Sequence, residues 1–403
     1  MQARGVVLAL LLAASVVHRT DCLELPPNPF GIGLVSPGSD EQLSLANTLA
    51  GNGGKVLLIF PGINRQTTQA DPSWTANLQS AITKYNLVPV VRLAAPWGQA
   101  NIRDDSDDTE HLVYSTLARA YAIVVRDVMQ AVPANTDVYF QIGNEPNLCD
   151  EWTCEGGGWL SMNQSATEYT HFLRDVIQAI RGIGNPHILL AAAPMAPGGT
   201  VSCQCCGAGG GCQFQAGATG LDFMWDMMSA IPGIYDQVDF LASHSYPAQA
   251  IGWGFFVPFD QAKPGLLYYR NESAFIGHPS IGVMITETGW TTQQGCKPSY
   301  DDEATYMVAS YQLWISSNQL PLDFPLGARS GRTGNVGLGN NTGTGTIEST
   351  AGPTVLGVMP FELMDPSWEQ QGFSWVLMSG QQLPEFTQVR QLRCSMGYTG
   401  GGC

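Results

Sequence analysis

Two glutamates occupy positions from which a pair of carboxyl groups could act together on one bond. Glu145 follows an apolar run in the motif GNEPN, and Glu287 follows another in the motif ITETGW. One carboxyl group can donate a proton to a leaving oxygen while its ionised partner attacks carbon and forms a covalent intermediate. Cleavage of a glycosidic bond by this route needs carboxyl groups about 5–5.5 Å apart whose pKa values differ.

Each glutamate alone also has a structural explanation. Glu145, which precedes a proline, could lie at the start of a helix, where the helix dipole favours a carboxylate. Glu287 could accept hydrogen bonds from loop amides. The two together favour catalysis, because the ends of parallel strands meet on one face of a barrel and would place both carboxyl groups there.

Four further polar residues are candidate substrate contacts. Asn144 precedes Glu145 and could hydrogen-bond a sugar hydroxyl more strongly in the transition state. His244 and Tyr246, in the motif SHSYP, could bind the second glutamate or the sugar and favour the ionised carboxylate. Alternatively, the histidine orients a loop and the tyrosine packs in the core. Glu362 lies in the last predicted apolar run and could bind sugar hydroxyls or form a salt bridge.

Three tryptophans, Trp97, Trp290 and Trp375, could offer aromatic faces on which a pyranose ring stacks. Trp290 is the strongest candidate because it lies nearest in sequence to the predicted chemistry, shortly after Glu287. Packing in the protein interior is the alternative for each indole.

The elements that must position these residues alternate regularly along the chain. Short apolar, β-branched runs predict eight strands, each followed by a segment with helical periodicity. The predicted strands are Phe30–Ser36, Lys55–Gly62, Leu87–Ala95, Asp137–Asn147, His187–Pro197, Val238–Pro247, Ser280–Trp290 and Thr354–Asp365. The predicted helices are Asp40–Ala50, Pro72–Tyr85, Ser115–Ala131, Ala166–Ile183, Leu221–Ile231, Gly265–Phe275, Asp301–Ser317 and Pro384–Cys394.

This alternation predicts an α/β fold, a single (β/α)8 TIM barrel with disulfide-bearing rim loops. Continuous apolar strands are typical of a parallel sheet that is covered on both faces. A doubly wound open sheet is the alternative, but the turn after the first strand only weakly resembles a phosphate-binding loop. The Gly- and Cys-rich segment Gly198–Gly217 is predicted to lie at the catalytic rim, and Leu326–Pro353 at the opposite end.

The N-terminal residues predict export. Arg4 precedes an apolar stretch, Val6–Val17, that is too short to span a bilayer, which indicates a secretory signal peptide over residues 1–20. One glycoside-cleaving catalytic domain would then occupy residues 21–403. A buried N-terminal helix or strand is the alternative explanation of the same stretch.

Cysteine and asparagine patterns agree with an extracellular location. Ten cysteines in an exported chain favour disulfides, whose connectivity the spacing does not determine. The cluster Cys203, Cys205, Cys206 and Cys212 does not have the spacing of a zinc site, so we expect neither a metal nor a cofactor. Glycosylation acceptors occur at three asparagines and predict surface positions; they are Asn163, Asn271 and Asn340.

The composition restricts the partners. The 403 residues carry a formal charge of −16, and only 13% are charged. A negative field repels phosphate backbones and anionic lipids, which excludes a general nucleic-acid binder and, after signal cleavage, a membrane-bound protein. A neutral polysaccharide or oligosaccharide is compatible with this charge, and we expect a monomer. The sequence also lacks the G-x-S-x-G motif of a serine hydrolase and a G-x-x-x-x-G-K nucleotide loop.

The motifs GNEPN, SHSYP and ITETGW together resemble the clan A glycoside hydrolases. That resemblance implies a barrel with an Asn-Glu acid/base pair on strand four and a nucleophilic glutamate on strand seven. Glu145 would be the general acid/base and Glu287 the nucleophile. The clan usually carries an arginine on strand two; here Arg92 falls on predicted strand three and is a weaker candidate for the substrate-side network.

Different motifs resemble different families within the clan. ETGW and the segment Phe361–Trp368 are similar to family 17, the β-1,3-glucanases, in which a glutamate on strand eight commonly lies in the cleft. NEPN, SHSYP and Leu383–Phe386 are more similar to families 5 and 39, which include endoglucanases, mannanases and β-xylosidases.

The sequence therefore predicts a secreted retaining glycoside hydrolase that cleaves a β-linked polysaccharide, with β-glucan favoured, through two glutamates. Two alternatives remain: an exo-acting β-glycosidase of the same clan, and a non-catalytic carbohydrate-binding or cell-wall protein on the same barrel. A binding protein has no need of two carboxyl groups at the spacing of covalent catalysis.

Overall fold

The structure is a computed structural model of the 403-residue chain. It describes residues 27–95, 112–148, 151–152, 154–155, 158–159, 162–197, 201–203, 212–214, 220–247, 255, 257–292, 298–317 and 352–403. Residues 154–155, 158–159, 162, 201–203 and 212–214 are described by their backbone alone.

Eight parallel strands form the centre of the described fold, and each lies within one of the predicted runs. They are β1 Gly31–Gly33, β2 Lys55–Phe60, β3 Val88–Leu93, β4 Val138–Ile142, β5 Ile188–Ala192, β6 Leu241–His244, β7 Val283–Glu287 and β8 Val355–Val358. Two short antiparallel hairpins add strands at 154–155 with 158–159 and at 201–203 with 212–214.

The parallel strands belong to two sheets, β1 to β5 and β6 to β8, each in sequence order. Backbone hydrogen bonds also connect the sheets at both edges. Val358 N donates to Pro29 O at 2.9 Å beside β1, and Asp239 N donates to Leu190 O at 2.8 Å just before β6. The described ladder is not continuous around all eight strands, so closure into a barrel stays a prediction.

Residues from both sheets share a small apolar cluster. It includes Leu57 on β2, Val90 on β3, Ala242 on β6 and Met284 on β7, all nearly or fully buried. A far larger apolar layer separates the strands from the helices. The strands are therefore covered on both faces, as their continuous apolar sequences predict.

The helices follow the strands as expected, and their bounds differ from the predicted ones by a few residues in most cases. They are α1 Asp40–Ala50, α2 Pro72–Thr83, α3 Ser115–Ala131, α4 Met162–Arg181, α5 Gly220–Ala230, α6 Phe259–Leu266, α7 Tyr268–Phe275, α8 Tyr300–Ser316, α9 Pro366–Glu369 and α10 Pro384–Ser395.

Local sequence explains the best-defined helix starts. Ser39 and Gln42 form a reciprocal capping box at α1, and Ser299 and Asp302 form another at α8. Each box satisfies two amide groups that the helix cannot pair internally. The predicted helix 265–275 is instead two helices, because the chain leaves helical geometry at Leu267, where φ is −101° and ψ is 14°.

The C-terminal tail is fixed to the first helix. Cys394 and Cys403 form a disulfide. Buried Arg393 donates hydrogen bonds to the carbonyl oxygens of Leu49 and Gly400. The disulfide and these hydrogen bonds hold the C-terminal residues against the end of α1.

Several predictions concern residues outside the described part of the chain. These are the signal peptide, Trp97, Asn340, most of the Gly198–Gly217 segment, most of Leu326–Pro353, and Cys22, Cys149, Cys205, Cys206 and Cys296. Asn163 is exposed on α4, whereas Asn271 is half-buried on α7. Among the described helices, none has the length and apolar character needed to cross a membrane.

Candidate active site

The carboxyl ends of β3, β4, β6 and β7 bring four of the predicted site residues to one place. Arg92 lies on β3, Glu145 follows β4, His244 ends β6 and Glu287 ends β7. Tyr246 lies two residues beyond β6. Because all these strands are parallel, their carboxyl ends share one face of the fold, and residues distant in sequence come into contact there.

A tight turn carries Glu145 out of β4. Gly143 has a φ of +86° and Glu145 a φ of +25°, a region that residues with a Cβ rarely adopt. Tyr169 from α4 fixes the strand before this turn, because its hydroxyl donates to Ile142 O and accepts from Ala193 N, both at 2.8 Å. Backbone strain of this kind costs about 1–3 kcal/mol and persists only where the surroundings enforce it.

Asn147 fixes the far side of the same turn. Its side-chain amide donates to Ala196 O at 2.8 Å and accepts from Ala196 N at 3.0 Å. The loop that follows β4 is thus joined to the loop that follows β5, and Glu145 projects between two anchored segments.

Glu287 is held by two donors. Arg92 Nη2 lies 2.5 Å from Glu287 Oε1, and the Tyr246 hydroxyl donates to Oε2 at 2.9 Å. The glutamate is 8% exposed and Arg92 is 3% exposed, so this is a nearly desolvated ion pair. A charge-assisted bond in such surroundings strongly favours the ionised carboxylate.

His244 lies between the two glutamates and is fully buried. Its Nδ1 is 2.6 Å from Glu145 Oε1 and 3.6 Å from Glu287 Oε2, and its Nε2 is 3.5 Å from Arg92 Nη2. One oxygen of each glutamate and one histidine nitrogen all lie within 4.8 Å of one another. The carboxyl groups are therefore close enough to act on opposite sides of one bond.

The two glutamates differ in their pKa shifts. Burial raises the pKa of the Glu145 carboxyl and outweighs the opposing effect of His244. Burial also acts to raise the pKa of Glu287, but His244, Arg92 and Tyr246 together outweigh it and the net pKa is lowered. This environment shifts Glu145 towards its protonated form and Glu287 towards its ionised form, relative to an ordinary glutamate.

The same three side chains could in principle hold a metal ion, since two carboxylates and an imidazole are common ligands. Arg92 argues against this, because its guanidinium already contacts Glu287 and would repel a cation bound there. The acid and base chemistry described above needs no metal.

Glu362, Trp290 and Trp375 are all fully buried. Glu362 is fully buried and accepts a hydrogen bond from the Ser374 hydroxyl; burial raises its pKa to about 8. Trp290 is fully buried, and its Nε1 donates to Val257 O at 2.8 Å. Its indole has no exposed face for a sugar, so the geometry favours interior packing, and Trp375 is likewise fully buried.

Asn144 contacts a residue that the sequence analysis missed. Its Nδ2 donates to Glu151 Oε1 at 2.9 Å, while its Oδ1 is buried without a partner among the described residues. Glu151 gave no signal because it lies in a loop without periodicity, where an acidic residue normally faces solvent. Its place close after Glu145 was the only available indication.

The chain matches no protein-family model and no curated protein sequence. Its fold is nevertheless similar to those of solved glycoside hydrolases. A family 39 glycoside hydrolase from the gut symbiont Bacteroides cellulosilyticus WH2 aligns with 91% of this chain and 63% of its own, at 14% identity and a TM-score of 0.54.

Two further structures give comparable alignments. A monomeric β-xylosidase from Caulobacter crescentus CB15 has 14% identity and a TM-score of 0.55 over 91% of this chain and 67% of its own. GH5_18 from Streptomyces cattleya, in complex with GlcNAc, has 12% identity and a TM-score of 0.56 over 91% and 80%. The chain spans less than two thirds of the family 39 enzyme, and identities this low establish similarity of fold alone.

Proposed function

We propose that this protein is a secreted retaining glycoside hydrolase that cleaves β-linked polysaccharide, with β-glucan as the first candidate substrate. The observation that carries the proposal is the pair Glu145 and Glu287, whose nearest oxygens lie within 4.8 Å. Retaining enzymes place these groups about 5–5.5 Å apart, whereas inverting enzymes need about 6.5–9.5 Å to accommodate a water molecule. The similarity of fold to glycoside hydrolases supports the same class.

In the first step, ionised Glu287 attacks the anomeric carbon and forms a glycosyl ester. Protonated Glu145 donates its proton to the glycosidic oxygen, and the bond from that oxygen to the anomeric carbon breaks. In the second step, ionised Glu145 accepts a proton from water, whose oxygen attacks the anomeric carbon and releases Glu287. The opposite pKa shifts of the two glutamates prepare each residue for its first role.

Arg92 and Tyr246 support the attacking carboxylate in this scheme. They hold both oxygens of Glu287 and keep the group ionised before the reaction. His244 contacts both glutamates, so it can transmit a charge change at one to the other. The remaining amide atoms of Asn144 are available for a sugar hydroxyl.

We also propose that the eight strands close into one (β/α)8 barrel over the mature chain, residues 21–403. Hydrogen bonds at both sheet edges and the apolar cluster shared by the two sheets support closure. The backbones of β1 and β8 lie so close that there is no room for a side chain at Gly31, because a Cβ there would lie 2.7 Å from Val358 O.

The test is a substrate panel with matched variants. The purified protein is incubated with β-1,3-glucan, mixed-linkage glucan, cellulose, mannan, xylan and aryl β-glycosides, beside Glu287→Gln and Glu145→Gln. We expect products with retained anomeric configuration by proton NMR, and a rate at least about 1,000-fold lower for Glu287→Gln. Exposed Glu41, on α1, supplies a matched control, Glu41→Gln.

The outcomes separate the alternatives. Release of single sugars from chain ends indicates the exo-acting β-glycosidase, and inverted products contradict the retaining mechanism. Binding to a polysaccharide without any product, equal in wild type and Glu287→Gln, indicates the non-catalytic carbohydrate-binding protein instead. Equal product from wild type and Glu287→Gln removes the nucleophile assignment.

A further inference from the structure

A third carboxyl group lies beside the glutamate pair. Glu151 follows the GNEPN motif in a turn in which the amide groups of residues 151 and 152 donate to Leu148 O. Its Oε1 accepts a hydrogen bond from Asn144 Nδ2 at 2.9 Å. Neither the acid/base step nor the nucleophilic step described above uses this residue.

We propose that Glu151 is a positioning residue, which orients the Asn144 amide by accepting its hydrogen bond and so sets the atoms that Asn144 presents to the substrate. The contact itself is independent of the proposed function, and only its consequence for the reaction rests on that function. Asn144 would touch the sugar, whereas Glu151 acts through Asn144.

The state of the Asn144 amide supports this role. One amide hydrogen is used by Glu151, and Oδ1 is buried without a partner among the described residues. A buried polar atom without a partner is energetically unfavourable, so the site gains stability when a hydroxyl group donates to Oδ1. With Nδ2 turned towards Glu151, Asn144 offers an acceptor and its second amide hydrogen to a sugar hydroxyl.

The protonation of Glu151 determines which amide orientation is favoured. An ionised carboxylate can only accept, so it selects Nδ2, whereas a protonated carboxyl group can donate to Oδ1 and permit the amide to rotate. Burial raises the pKa of Glu151 to about 7. Both states are therefore accessible near neutral pH.

The charged groups around Glu151 connect it to the glutamate pair. Asn144 and Glu145 after β4, Arg92 from β3 and Glu287 from β7 act on the pKa of Glu151, and Glu151 in turn acts on the phenol of Tyr121 from α3. An ionised Glu151 opposes the ionisation of Glu145, because like charges at short range disfavour one another. Through the same repulsion, we expect removal of this charge to lower the pKa of Glu145.

Two variants separate the hydrogen bond from the charge. Glu151→Gln carries no charge and, like the protonated carboxyl group, can accept from Asn144 or donate to it, whereas Glu151→Leu keeps similar volume but has no acceptor. We expect Glu151→Leu to lose about 10- to 100-fold in kcat/KM, because Asn144 is no longer fixed. Glu151→Gln should stay within a few-fold of wild type at its optimum, with the alkaline limb of the kcat/KM profile about one pH unit lower.

Asn144→Ala and the double variant Asn144→Ala/Glu151→Leu complete a cycle. We expect the Glu151→Leu effect to be largely lost when Asn144 is already absent, because the two residues act as one unit. Additive effects, or a Glu151→Leu protein with the wild-type rate and pH profile, would overturn the proposal. Glu41→Gln controls for the general loss of a negative charge, and far-UV circular dichroism checks that each variant folds.

A second measurement does not depend on activity. The side-chain amide signals of Asn144, identified by their loss in Asn144→Ala, should shift with a midpoint near pH 7 in wild type and not in Glu151→Gln. A wild type without activity on any substrate, but with this titration, means that the proposed function fails while the positioning contact stands. Amide signals that do not respond to Glu151→Gln contradict the contact.

Discussion

At the scale of single residues, Glu145 and Glu287 have the same side chain but differ in pKa because their neighbours differ. Glu287 lies against a guanidinium and a phenol, whereas Glu145 contacts an imidazole. Burial and His244 act on both, so the difference in their pKa shifts comes from the donors around Glu287 and from the Glu287 charge, which raises the pKa of Glu145. The donors around Glu287 are therefore the residues whose removal should change the pH dependence of the reaction.

Arg92→Met tests the charge beside Glu287. Without the guanidinium, burial is less well opposed and the pKa of Glu287 rises, so the acidic limb of kcat/KM should move about one pH unit or more towards higher pH. Exposed Arg126, which contacts Asp127, gives the matched control Arg126→Met. An unchanged acidic limb in Arg92→Met would show that Arg92 does not support the attacking carboxylate.

Tyr246→Phe removes one donor without removing a charge. A hydrogen bond to a charged group contributes about 1.5–3 kcal/mol, so we expect kcat to fall roughly 10- to 100-fold and the free energy of unfolding to fall as well. Steady-state kinetics on the best substrate of the panel measures this effect. Tyr139→Phe, on β4, is the control, and a similar loss in both variants would argue against a specific role for Tyr246.

At the scale of elements, the turn after β4 depends on α4 as much as on its own sequence. Tyr169 on that helix bridges β4 and the segment after β5 with one hydroxyl, and Asn147 joins the loops beyond them. The unusual backbone at Glu145 is therefore enforced from outside the strand that carries it.

Tyr169→Phe tests this support. The change leaves Ile142 O and Ala193 N without their buried partner, so we expect the free energy of unfolding to fall by about 2–4 kcal/mol. Because the turn also positions Glu145, kcat should fall more than KM rises. Urea unfolding followed by tryptophan fluorescence measures the change in stability, and steady-state kinetics measures kcat. A loss of stability with unchanged kcat would show that the turn does not influence the reaction.

The elements differ in how far the sequence predicts them. The eight strands lie within apolar runs and four of the helices begin at side-chain caps, because these signals are local; Ser39 with Gln42 is one example. The burial of Trp290, whose Nε1 donates to Val257 O, depends on packing between segments distant in sequence. The break at Leu267 and the contact of Asn144 with Glu151 are local, but they follow no periodic pattern. No short motif carries that information, although the motifs did indicate the residues that meet at the carboxyl ends of the strands.

At the scale of the whole molecule, buried carboxyl groups connect stability to pH. Burial raises the pKa of Glu151 to about 7, and raises the pKa values of Glu272, Glu362 and Glu385 to about 8. In the unfolded chain these groups titrate near 4.5. Between those values the folded protein binds more protons than the unfolded chain, so its stability falls as pH rises.

We therefore expect the protein to be most stable near pH 5 and to lose stability progressively up to about pH 8. The formal charge of −16 acts in the same direction, because self-repulsion grows as the remaining carboxyl groups ionise. Buried Lys55, whose pKa burial lowers to about 8, opposes the trend only above that pH. Calorimetry from pH 5 to 8 should show an apparent Tm that falls by roughly 5–10 °C.

Glu272→Gln identifies one source of this pH dependence. The carboxyl group lies behind β6, where the Ser243 hydroxyl contacts its Oε2 at 2.5 Å, and it is not part of the glutamate pair. An amide keeps an acceptor for that hydroxyl but cannot ionise, so Tm should decline less steeply with pH than in wild type. The exposed control Glu41→Gln should keep the wild-type slope. A Tm that is constant or rises between pH 5 and 8 in wild type would show that the buried carboxyl groups do not bind the extra protons in the folded state.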